Sequence, residues 1–123
     1  MRYLTFIRHL ESYRRSPPPP ALMEAMGAFV ARERAAGTLV DTGGLLPSDE
    51  GLRVRLARGQ LSVTDGPFIE SKEIIAGWAI LDAGTREEAL RVATAFMDLH
   101  RKHWPGYEGE CEVRPMFDPG VGT

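Results

Sequence analysis

Three histidines and a few carboxylates are the residues of this chain whose chemistry stands out. His9 closes a short alternating run, Arg2 to His9, with Leu4 and Phe6 on one face and Tyr3, Thr5, Ile7 and His9 on the other. Asp65 ends a second such run and precedes Gly66-Pro67. An imidazole beside a carboxylate suffices for proton transfer near neutral pH without any cofactor. His9 and Asp65 are therefore a candidate acid–base pair, expected at one cleft. The competing role for Asp65 is a turn cap, with Gly66 supplying a special backbone angle and Pro67 fixing the next. His100 is the third candidate. At helical spacing it falls in the middle of an apolar stripe with Ala89, Ala93 and Phe96, one turn from a helix end. Burial lowers the pKa of such a histidine, while a helix C-terminus favours its charged form. His103 lies three residues on, but two histidines without a third ligand do not make a metal site, and none is expected.

Further residues are candidates for binding. Glu70 and Lys72, with Glu73, form a charge cluster before an apolar run. Such clusters protect strand edges, or hold a polar ligand if the segment folds over a sheet. Trp78 and Tyr3 are expected pocket walls. Trp104-Pro105-Gly106-Tyr107 is an aromatic turn expected to pack against a helix end. Cys111 alternates with Val113 toward an apolar face and has no base beside it, so it is expected to be an inert thiol.

The elements that must position these groups follow from periodicity. After the first strand, Pro17 to Pro20 forms an extended arm or loop leading into a helix. Ala21 to Ala36 carries Leu22, Met26, Phe29 and Val30 at helical spacing, and Gly37 stops it. Thr38 to Leu46 is extended. Leu52–Ala57 and Leu61–Thr64 alternate around Arg58-Gly59 and predict a tight hairpin. Glu73 to Leu81 is uncharged beyond its first residue. Ile74, Ala76, Trp78 and Ile80 are expected on one face, and Ile75, Gly77, Ala79 and Leu81 on the other. Both faces should be covered, one by helices and one by a second subunit. Thr85 to Trp104 is the second helix, opened by a Thr85/Glu88 capping box, and Glu110 to Phe117 is the last strand. The layout predicts an α+β ferredoxin-like sandwich with an inserted β-hairpin.

Composition bounds the rest. The 123 residues form one domain, 1–123, with 43% apolar and 26% charged residues, as in ordinary globular chains. A compact fold of this mass exposes about 6,600 Å². The net charge of −2 gives no bulk attraction to nucleic acid or anionic membrane. No apolar run is long enough to span a bilayer, and the N-terminus lacks a signal-peptide pattern. One cysteine excludes an internal disulfide framework and fits a reducing cytoplasm. Dinucleotide-binding, P-loop, zincin and nucleophile-elbow motifs are absent, and no cofactor is expected.

The segment Asp65-Gly66-Pro67-Phe68-Ile69-Glu70-Ser71-Lys72-Glu73 resembles the signature of the DGPF-domain proteins, a branch of the YCII-related family whose typical motif reads DGPFAETKE. Ile69 replaces its Ala and Ser71 its Thr. The resemblance continues through Val40–Leu45, Gly77-Trp78 and Glu112-Val113-Arg114-Pro115. It implies a dimeric α+β barrel, in which two open sheet faces pack together. It assigns no histidine here to the His–Asp pair proposed as an active site in other YCII-related proteins. Two functions remain open. One is a small-molecule-binding protein or cofactor-independent acid–base enzyme with a cleft at the dimeric barrel. The other is a non-catalytic accessory, which the resemblance associates with extracytoplasmic-function sigma factors. Convergence of His9, Asp65 and His100 distinguishes the first.

Overall fold

Local signals set the ends of the elements in the computed structural model, which describes residues 1–10, 12–13, 17–68 and 73–117. The strands are β1 (Arg2–Leu10), β2 (Leu39–Gly44), β3 (Leu52–Ala57), β4 (Gln60–Asp65), β5 (Glu73–Asp82) and β6 (Gly109–Pro115). The helices are α1 (Pro20–Ala35) and α2 (Arg86–His103). Helix α1 begins on Pro20, where a missing N–H costs nothing, and Gly37 leaves it at φ 82°. Helix α2 begins after Thr85, whose hydroxyl accepts the Glu88 N–H at 3.1 Å. Arg58 and Gly59 both take positive φ, as a two-residue turn between twisted strands requires.

Four strands form one sheet in the order β2-β5-β1-β6, every neighbour antiparallel. With helices after β1 and β5, this is the ferredoxin-like order of an α+β fold. Both helices pack on the face that carries Tyr3, Leu39 and Leu81. There Phe29 of α1 and Ala89 and Val92 of α2 close the core. No helix among the described residues is long and apolar enough to cross a membrane.

The alternation expected along β5 is broken by a bulge. Ile7 pairs with Gly77 but Arg8 pairs with Ile75, so Ala76 is an extra residue on β5. Ile74, opposite His9, is buried on the helix side, whereas Trp78, opposite Phe6, lies on the outer face. The residues expected to share one face are thus divided between two. A bulge leaves no mark in a run that is apolar at every position.

Strands β3 and β4 form a separate two-stranded sheet. Val54 faces Val63 and Leu56 faces Leu61. These four, with Leu52, are 61–73% exposed. The whole chain exposes 8615 Å², well above the compact expectation of about 6,600 Å².

Candidate functional site

Helix α2 turns Ala93 toward a sheet that offers Ala76, Gly77 and Ala79 at the β5 bulge. Small residues meeting small residues leave space, and a cavity of about 420 Å³ opens between the helices and the sheet. Its walls are mainly apolar, with Leu22, Met26 and Phe29 from α1 and Val92 and Phe96 from α2. Volume and lining are those of a small-molecule pocket.

Polar groups gather at one end, and the sequence delivers them in steps. Pro105 and Gly106, the latter at φ 78°, turn the chain so that the Tyr107 N–H donates to the Trp104 carbonyl at 3.0 Å. Tyr107 then lies over Gly109, where any Cβ would come within 2.8 Å of its Cζ. Gly109 is the cross-strand partner of His9, so the bare glycine brings Tyr107 to His9. The Tyr107 hydroxyl and His9 Nδ1 are 2.9 Å apart. Tyr13 fastens the turn from the other side. Its hydroxyl donates to the Gly106 carbonyl at 3.5 Å and accepts the Glu108 N–H at 3.2 Å.

His100 reaches the same end from α2. It is 6% exposed, and its ring centroid is 4.9 Å from that of Tyr107 and 5.0 Å from that of Phe96. His100 Nδ1 donates to the Phe96 carbonyl at 3.1 Å. Burial pulls its pKa below the ordinary value, against a smaller opposing effect of that hydrogen bond, so the neutral ring is favoured. Cys111 lines the wall, and desolvation pushes its thiol up to about 11, which suits an inert group rather than a nucleophile. Glu33, buried on α1, accepts from the Thr38 hydroxyl at 3.2 Å and pairs with Arg91 at 3.3 Å.

The structure thus brings His9 and His100 together through Tyr107. Trp78 borders the cavity from β5, but its register opposite Phe6 puts the indole on the outer face, where Nε1 would be 3.0 Å from a Cβ at Gly43. Tyr3 is not on the wall. It is buried in the core beside Phe29 and Leu81, because the helix-facing side of β1 meets packed side chains at that end. Asp65 is exposed at the base of the β3–β4 sheet, opposite Leu52, and does not line the cavity. Its carboxylate makes no hydrogen bond or ion pair within the described residues, so the expected His9–Asp65 pair is not formed. Glu70 and Lys72 lie outside the described residues. Gly66 does not have the expected positive φ. A side chain there would run into the Ser48 carbonyl, so close backbone packing demands the glycine. The partner that sequence reasoning passed over is Tyr107. Its signal is the Trp-Pro-Gly-Tyr turn, which by sequence alone is expected only to pack a helix end.

A family model for the YCII-related domain matches residues 1–97. The chain belongs to the YCII-related family. It is also similar to an uncharacterized protein of Rhizobium meliloti (strain 1021), 30% identical over 101 residues, covering 80% of this chain and 77% of the relative. The matched region holds His9, the cavity's α1 wall and the first three turns of α2. His100 and Tyr107 lie beyond the family match.

Proposed function

We propose that this YCII-related chain binds a small, largely apolar molecule in the cavity between its helices and sheet, with cofactor-independent acid–base chemistry available at His9 and His100. One observation carries the reading. An apolar cavity of about 420 Å³ ends in a cluster of two buried imidazoles and a tyrosine hydroxyl. Apolar walls supply affinity, and a few convergent polar groups supply orientation. His9 and Tyr107 are hydrogen-bonded and so can relay a proton between them. Trp78, whose side chain lies on the outer sheet face, is left to that surface, and Asp65 is left to the hairpin. The free Cys111 thiol fits a cytoplasmic protein.

Fluorescence tests this directly. The chain has two tryptophans, of which Trp104 lies at the cavity's polar end against Tyr107 and Trp78 has its indole on the outer sheet face. In Trp78→Phe, Trp104 is the sole reporter. Small aromatic alcohols should change its emission saturably, and a linear, unsaturable response would contradict the reading.

A separate observation favours a homodimer. Leu4, Phe6, Trp78 and Ile80 give the outer face of the sheet an apolar centre. Arg8, with Glu110 at 2.7 Å and Glu112 at 2.8 Å, forms a charged flank on the same face. An apolar centre with a polar rim is how protein interfaces are built. The exposed β3–β4 apolar face adds to it, since an isolated hairpin is marginal in water. The exposed area exceeds the compact value by about 2,000 Å², more than the roughly 800 Å² that each partner buries in a standard interface. A second copy of the chain, seated on the outer sheet face, is the proposed occupant. The dimeric α+β barrel follows from that arrangement. A non-catalytic accessory role, including one beside a sigma factor, would use the same exposed surface, and it predicts a heterologous partner in place of the second copy.

A further inference from the structure

We propose that the cavity selects molecules presenting a hydrogen-bond donor, a phenol-type O–H on a flat apolar body, to Nε2 of His100. This rests on the ligand-cavity reading above and adds the chemical class.

The tautomer of His100 decides the matter. A carbonyl oxygen can only accept, so at 3.1 Å from the Phe96 carbonyl, Nδ1 must carry the hydrogen. In the neutral ring Nε2 then carries the lone pair. It has no hydrogen-bonding partner among the described residues, although His100 is only 6% exposed and lines the cavity. Nε2 opens to the cavity, where water can reach it; a ligand that displaces that water without supplying a donor leaves the acceptor unpaired, so one that supplies a donor gains what the other forgoes. Burial disfavours protonation, which would turn Nε2 into a donor.

The surroundings narrow the class further. The imidazole sits between Phe96 and Tyr107, both with centroids within 5.0 Å. Aromatic walls favour a planar ring, offset or edge-on. Among the described lining residues there is no lysine or arginine, and Glu33 is the one carboxylate. A carboxylate or phosphate ligand would meet no cation among the described lining residues, at a large desolvation cost. A neutral hydroxyl is the donor that fits.

The test compares 4-propylphenol with 4-propylanisole, whose oxygen cannot donate and whose extra methyl group adds apolar surface that by itself would favour the anisole. Binding is measured by calorimetry on the full chain, with the ¹⁵N shift of His100 Nε2 recorded in parallel. We expect the phenol to bind about ten-fold more tightly, with Nε2 moving on phenol binding alone. In His100→Phe the two should bind within about two-fold of each other. Equal binding in the wild-type protein, with Nε2 unmoved, overturns the donor assignment while leaving the cavity reading intact. Binding of neither compound overturns both. The wild-type comparison needs no variant, so a folding defect in His100→Phe does not remove the test.

Discussion

Tyr107 holds its hydroxyl 2.9 Å from Nδ1 of His9, and the contact depends on two glycines that flank it. Gly106 turns the chain at φ 78°, and Gly109 leaves room for the ring. Gly109→Ala should displace Tyr107, break its bond to His9 and cost roughly 1–3 kcal/mol. The check is a thermal melt together with the His9 imidazole resonances. Unchanged melting with unchanged His9 shifts would mean that Tyr107 is not held by this glycine.

Gly66 and Gly27 make an opposed pair. A Cβ at Gly66 meets the Ser48 carbonyl, which is backbone and cannot rotate away, whereas a Cβ at Gly27 meets nothing within 4 Å. Gly66→Ala should destabilise by roughly 1–3 kcal/mol through overpacking. Gly27→Ala, in the exposed middle of α1, should stabilise by about 0.5–1 kcal/mol through helix propensity. Chemical denaturation measures both, and equal effects would refute the steric account of the Asp65-Gly66-Pro67 turn.

His100 sets a pH dependence. Its folded pKa is depressed below 6.5, so between those values the unfolded chain binds a proton that the folded chain refuses. Its contribution to stability is full above pH 6.5 and is lost as the pH falls through the folded pKa. The melting temperature should therefore decline from about pH 7 downward, and His100→Gln should flatten that decline. Asp98 and Glu112 are also depressed, by Lys102 and Arg8 respectively, but their ordinary values are 3.8 and 4.5, so their losses begin at lower pH. An identical decline in His100→Gln would assign the effect elsewhere.

The fold was largely legible in the sequence, because its signals are local. Thr85 and Glu88 mark a helix start, Gly37 a helix stop, and Arg58-Gly59 a hairpin. The site was only half legible. His9 and His100 break apolar patterns and so announce themselves. Tyr107 did not, because its role depends on Gly109 pairing with His9 across β1 and β6, a contact between residues 100 positions apart. Asp65 stands out in the sequence because it opens a segment that resembles a family signature. Its surroundings are a strand end and a turn whose glycine is needed for backbone packing. The β5 bulge was hidden for the opposite reason, since an unbroken apolar run shows no phase.

Two exposed surfaces bear on assembly. Sedimentation should give about twice the 13.6 kDa chain mass. Trp78→Glu places a charge on the outer sheet face and should dissociate the dimer or unfold the chain. Val54→Lys, on the exposed hairpin, should weaken association without lowering the stability of the four-stranded sheet. A wild-type monomer would leave the exposed surface to a different partner.

The central claim is that the cavity's polar end receives a ligand. The most direct measurement is protein-observed NMR of the full chain, with methyl and imidazole resonances followed while neutral aromatic alcohols are added. The account predicts saturable, mutually competitive shifts at Ala93, Ala76, His9 and His100, with the exposed hairpin residues Val54 and Leu61 unmoved. Shifts confined to the hairpin, or no saturable shift at any cavity-lining residue, would contradict it.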